Sequence, residues 1–195
     1  MNYLAHSYLS FGIENILVGN FIADHIRLPQ FEKLDSEVKK GVILHRKIDG
    51  FTDSHPLFIQ SKRYFCEEFD RYSGILVDIY YDHIFAENFS KYSDVDLNEF
   101  THNVYQTMDN NLQHLPDSSI QFLNYARRNN TFFEYSKIEG IELVLRHLSY
   151  RINHGIDLSA SVNCFVENKK KIEIEFFEFM EELIDYTKKE SLLLI

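Results

Sequence analysis

Apolar residues along this chain recur mostly at spacings of three and four and seldom alternate, a pattern that predicts helices rather than strands. Asn2 can cap a first short helix running to about Phe11, where Gly12 ends it. A second helix is predicted from about Glu14 to Arg27, stopping before Pro29, with Ile16, Leu17, Phe21 and Ile22 on its apolar face. Asp35 or Ser36 caps a third, which should end near Asp53 and Ser54. Pro56 suits a first helical turn, and an amphipathic helix follows from His55 to Phe69. The stretch from Tyr72 to Phe89 is strongly apolar and should be largely buried. Asp96 and Glu99 form a capping-box pattern opening a helix to about Leu115, and Asp117 or Ser118 starts another through Arg128. A segment opens at Thr131, Ile138 to Ile152 is amphipathic, and Leu158 to Lys189 is the longest helical pattern. Short loops, with no repeat or linker, make the expected fold class all-α: a single-domain helical bundle over residues 1–195.

Composition narrows the class. Only 7 Gly and 3 Pro punctuate 195 residues, which favours long helices, and the high aromatic content comes from 17 Phe and 12 Tyr. A net charge of −10 argues against a nucleic-acid partner, because phosphate backbones demand a basic surface. No run approaches the roughly 18 apolar residues of a membrane span, and the final Leu-Leu-Leu-Ile is a docking tail or a frayed end. Without a basic, apolar leader, and with Cys66 and Cys164 far apart and outside any Cys-x-x-Cys, the expected setting is the reducing cytoplasm.

The chemistry concentrates between Gly41 and Asp53. His45, Asp49 and Asp53 follow one another at four-residue steps, so an imidazole and two carboxylates climb one stripe of a helix with apolar flanks. Asn20 with Asp24, and Asp78 with Asp82 and His83, are the two other places where polar groups interrupt apolar helices. Unpaired buried charges cost several kcal/mol. A shared divalent ion would offset the repulsion among these carboxylates, and the donor set suits Mn, Fe, Zn or Mg. Of the remaining histidines, His25, His55, His102, His114, His147 and His154 are scattered, whereas His6 in an apolar helix is the best additional site residue. Glu99 and His102 match half of a di-iron pattern that needs two copies, and no phosphate-cradling glycine loop or nucleophile elbow occurs.

Several motifs in order carry a resemblance: Met1-Asn-Tyr-Leu-Ala-His6, Gly19-Asn-Phe-Ile-Ala-Asp24, His45-Arg-Lys-Ile-Asp49 with Thr52-Asp53, Asp78 to His83, and Leu115-Pro-Asp117. Together they resemble bacterial acyl carrier protein phosphodiesterases, atypical relatives of the HD-type metal phosphohydrolases. The resemblance implies a helical bundle of that type that removes 4′-phosphopantetheine from holo acyl carrier protein with a divalent metal, manganese first and magnesium or iron(II) as alternatives. The Asp82-His83 order reverses the usual dipeptide of that group. On this footing Asp24, His45, Asp82 and His83 are the expected ligands, and Asp49, Asp53 and Asp78 are further ligands, their supports or the general base. Arg46 is expected on phosphate, since a guanidinium grips two oxygens, and Lys39, Lys40, Lys47, Lys62 and Arg63 on the acidic carrier. Two alternatives stand beside this: a metal phosphohydrolase acting on nucleotides or another small phosphoester, and a non-enzymatic helical module whose polar stripes are internal salt bridges.

Overall fold

The computed structural model describes residues 2–152 and 155–194, so His154 lies outside the described residues, as does the side chain of Cys66. Among the described residues the regular structure is entirely helical. No helix is long and apolar enough to cross a membrane.

Helix α1 (Tyr3–Tyr8) starts as its sequence directs, with the Asn2 side chain accepting from Tyr3 N at 2.9 Å. It ends three residues earlier than expected: Ser10 and Phe11 bond back by only three residues, and Phe11 and Gly12 take positive φ of 51° and 72°. Helix α2 (Glu14–Ile22) likewise stops short of Arg27. The tighter 3-10 turn Ala23–His25 follows, and there Asp24 meets His45 and His25 meets Tyr3. The short α3 (Leu28–Phe31) comes next, with Pro29 in its first turn.

Helix α4 (Ser36–Ser54) keeps its expected limits. Asp35 takes the extended N-cap conformation, and His55, before Pro56, is turned to an extended ψ of 131° that a residue preceding proline favours. The expected single helix from His55 to Phe69 is instead α5 (Pro56–Lys62), a 3-10 turn at Arg63–Phe65 and α6 (Cys66–Phe69). The break turns Phe65 inward, stacked 5.3 Å from Tyr80, whose other face lies 4.3 Å from Phe165. Periodicity within one helix cannot register a contact of that kind.

Helix α7 (Ser73–Glu87) is the centre of the molecule: Leu76, Val77, Tyr80, Tyr81, Ile84 and Phe85 are all fully buried. Helix α8 (Leu97–Asn110) opens on Asp96, which accepts from Glu99 N at 2.9 Å. Then come α9 (Asp117–Arg128), α10 (Thr131–Glu134), α11 (Ile138–Ile152) and the long α12 (Ser161–Leu194). Helices α1, α5, α11 and α12 pack on α7, and α12 also runs along α4 and α5.

Acidic residues of α12 fasten that last contact. Glu190 pairs with Lys47 at 2.6 Å, Glu182 meets His55 at 3.2 Å, and Tyr186 stacks on Phe51. Glu175 is buried and accepts from Gln60 at 2.6 Å, Tyr64 at 2.8 Å and Ser61. A Glu175→Ala chain strands the partly buried Tyr64 hydroxyl and leaves the buried Ser61 with Tyr81 alone, and should lose roughly 1–3 kcal/mol of stability. Urea unfolding with an unchanged midpoint would contradict that assignment.

A backbone contact between α2 and α4 positions the site. A Cβ at Gly19 would lie 2.1 Å from Val38 O, and one at Gly41 would lie 2.3 Å from Ile16 O and 2.8 Å from Gly19 Cα. Helices α2 and α4 thus touch backbone to backbone, which only glycine at both places permits. Glycine inside a helix costs about 1 kcal/mol relative to alanine, and this contact is the physical reason to keep two of them.

Candidate functional site

One residue beyond Gly19 and one turn beyond Gly41, the α2–α4 contact brings Asn20 against His45. Their atoms Oδ1 and Nδ1 are 2.9 Å apart, and the same oxygen lies 2.8 Å from His6 Nδ1 on α1. The two imidazoles stack, with centroids 4.0 Å apart and planes 18° apart. All three residues are buried.

The hydrogen bonds of Asn20 settle which way both rings are protonated. Its amide nitrogen donates to the His6 carbonyl at 2.9 Å and to Ser10 Oγ at 3.1 Å. A carbonyl can only accept, so the nitrogen must face it and the amide oxygen must face the imidazoles. Both Nδ1 atoms therefore carry protons, and both Nε2 atoms point the other way, toward carboxylates. His6 Nε2 is 3.1 Å from Asp49 Oδ1; His45 Nε2 is 3.1 Å from Asp49 Oδ2 and 3.2 Å from Asp24 Oδ1.

Electrostatics separates the two histidines. Burial and then the neighbouring His45 push His6 down to about 4, against the pull of Asp49. Burial also opposes charge on His45, but hydrogen bonds to Asp24 and Asp49 overcome it and lift that ring to about 9. Asp49 is raised by burial and lowered far more by the two imidazoles, so it stays ionised; Asp24 is lowered, chiefly by its hydrogen bond to His45. At neutral pH, then, His45 is an imidazolium held by two carboxylates, as the salt-bridge alternative requires. His6 does not fit that alternative. Being neutral and protonated at Nδ1, it presents an Nε2 lone pair to Asp49 Oδ1 at 3.1 Å. Two acceptors that close repel, and a cation bound to both from the side would remove the repulsion. His6, His45 and Asp49 each offer an atom within 4.8 Å of the others, a donor set that fits a divalent ion.

Of the residues expected from sequence, Asp24, His45 and Asp49 are brought together, joined by His6. Asp78 on α7 is raised by burial and by the charges of Asp49 and Asp53, while Asp53 itself is exposed. Asp82 and His83 lie outside the cluster of His6, His45 and Asp49. Adjacent residues on one helix point about 100° apart. Asp82 is spent on backbone N–H groups of α1, and His83 Nδ1 lies 2.7 Å from the Tyr135 carbonyl with its ring against Phe165. Arg46 is exposed, and its guanidinium packs over the Phe31 ring, 5.0 Å from its centroid. Lys39 donates to Glu32 O, while Lys40 and Lys47 pair with Glu37 and Glu190, so a partner's carboxylates would have to compete for all three. Lys62 is half-buried and Arg63 is exposed. The role of Asn20 as a fork was missed; its signal was an amide inside an apolar helix, four residues before Asp24.

The chain's sequence matches the family described as acyl carrier protein phosphodiesterase over residues 1–183. It is 30% identical over 194 residues to the protein of that name from Pectobacterium atrosepticum, covering 98% of this chain and 100% of the relative. Its identity to the protein of that name from Photorhabdus laumondii is 28%, covering 95% and 94%, and to the one from Escherichia coli O6:H1 it is 28%, covering 98% and 100%. No solved structure matches.

Proposed function

Because the chain belongs to the acyl carrier protein phosphodiesterase family, we propose that it hydrolyses the phosphodiester joining the 4′-phosphopantetheine arm to a serine of holo acyl carrier protein, leaving apo carrier. We also propose that a divalent ion assists, manganese first and magnesium or iron(II) as alternatives. The observation supporting it is the pair of Nε2 atoms that Asn20 turns toward Asp49 and Asp24, one of them, on neutral His6, presenting a lone pair.

His6, His45 and Asp49 would hold the ion, with Asp24 beside them. A dication there supplies Lewis acidity toward a phosphoryl oxygen and a water molecule. Asn20 fixes the direction of both rings and so keeps the two Nε2 atoms available. Asp49 remains anionic throughout the working range. Asp78, whose carboxyl is raised and which feels the charge of Asp49, is suited to accept a proton from the attacking water. Exposed Arg63 and the lysines of α4 and α5 face solvent in part and offer positive charge to the carrier.

The deciding experiment is mass spectrometry of holo carrier after incubation with the protein and manganese. Loss of the pantetheine arm is expected. Unchanged holo carrier with each of the three ions, alongside turnover of a nucleotide or another small phosphoester, would transfer the activity to the alternative substrate class.

Proton release tests the ion independently of catalysis. Without the ion, His45 is protonated below about 9 and His6 is neutral above about 4. Binding through both Nε2 atoms at pH 7 should therefore release one proton, from His45 alone. Manganese affinity should rise about tenfold per pH unit between those limits and level off above the upper one. Calorimetry in buffers of different ionisation enthalpy reads the proton directly; binding that releases none would mean that His45 is not displaced.

A further inference from the structure

Asp82 sits on α7 with none of its surface exposed, and its contacts run to one place. Oδ2 accepts from Leu4 N at 3.0 Å, and Oδ1 lies 3.4 Å from both Ala5 N and Asn2 N. These N–H groups open α1, where no earlier turn supplies carbonyl partners and the helix dipole favours an anion. Helix α1 has only six residues, far too few to hold itself in place by internal bonds. Its own cap, Asn2, satisfies Tyr3 N and leaves the next donors to Asp82.

His6 follows directly. Ala5 N is bonded to Asp82, while the His6 carbonyl accepts from Asn20 Nδ2 at 2.9 Å and from Ser10 Oγ at 2.9 Å. The short helix is thus gripped at its start by α7 and one residue later by α2, with the imidazole between these grips stacked on His45. We infer that Asp82 is a positioning residue: its carboxylate fixes the N-terminus of α1 against α7 and thereby sets His6 at the Asp49 carboxylate. The sequence suggested a ligand here, but the geometry gives Asp82 a different task at the same site.

This rests on His6 belonging to the ion site proposed above, and a double-mutant cycle separates the two. Asp82→Asn keeps one acceptor oxygen and the shape of the side chain while replacing the second acceptor with an amide that donates. It should weaken manganese binding about tenfold, as expected for a residue that orients a ligand, and lower kcat while leaving KM for holo carrier unchanged. In a His6→Ala background the same change should alter neither quantity further, because the residue through which it acts is gone. A merely structural role would lower both backgrounds equally, and a direct ligand would weaken binding further without His6; either result overturns the inference, as does wild-type affinity and kcat in Asp82→Asn. Asp82→Ser, a smaller neutral acceptor, repeats the cycle on the same criteria if the asparagine chain does not fold. If the unaltered protein binds no manganese, the ion proposal fails, and the cycle in kcat still decides Asp82.

Discussion

Alanine at Gly41 is expected to abolish activity and to lower the melting temperature by more than any other single methyl group added to α4. The new Cβ would stand 2.3 Å from Ile16 O and 2.8 Å from Gly19 Cα, both backbone atoms that no rotamer change can move. Ordinary contacts require the helices to part by roughly 1 Å or more. Parting by that amount stretches the 2.9 Å bond from His45 Nδ1 to Asn20 Oδ1 beyond hydrogen-bond reach. The gap also opens beside the fully buried Val42 and Ile22. Overpacking on this scale costs about 3 kcal/mol or more, a large part of the roughly 5–15 kcal/mol that holds a domain together. Gly19→Ala should behave alike, since its Cβ would meet Val38 O at 2.1 Å. Thermal unfolding and turnover of holo carrier check both; a Gly41→Ala chain with wild-type melting and kcat would show that the two helices are not in backbone contact.

Asn20→Leu attacks the site at the fork itself, keeping the branched outline of four side-chain heavy atoms while removing every polar atom. The fork disappears, leaving His6 Nδ1 and His45 Nδ1 without their acceptor and removing one of the two donors to the His6 carbonyl. Two stranded buried donors cost about 2–4 kcal/mol together. The neutral His6 ring is then free to move its proton to Nε2, the atom proposed for the ion. Manganese affinity should fall about 10- to 100-fold, with kcat falling at least as far. Nitrogen NMR of the His6 imidazole should show mixed tautomers in place of a proton fixed at Nδ1. Retention of kcat within about twofold would remove Asn20 from the account and with it the argument that both Nε2 atoms are aimed at the carboxylates.

Both predictions concern residues whose part came from contact between helices. Features confined to one helix could be read from the chain directly. The limits of α4, the Asp96 cap of α8 and the span Ile138–Ile152 follow from periodicity and capping, which depend on neighbours a few residues away. So does the placement of His45 and Asp49 on one stripe, since a four-residue step is nearly one turn. The early end of α2 was not legible, because the turn that follows it yields to distant partners: Asp24 to His45, and His25 to Tyr3.

Residue order alone makes the chain helical, its middle apolar enough to bury α7, and its greasy faces interrupted by carboxylates and imidazoles. How those groups are used follows from contacts between helices. Those contacts made His6 a central residue, turned Asp82 to the start of α1, and laid Arg46 on Phe31. The reason is geometric: helix periodicity fixes the direction of a side chain relative to its own axis. What it meets there depends on how closely a second helix approaches, and between α2 and α4 that distance is set by two glycines twenty-two residues apart.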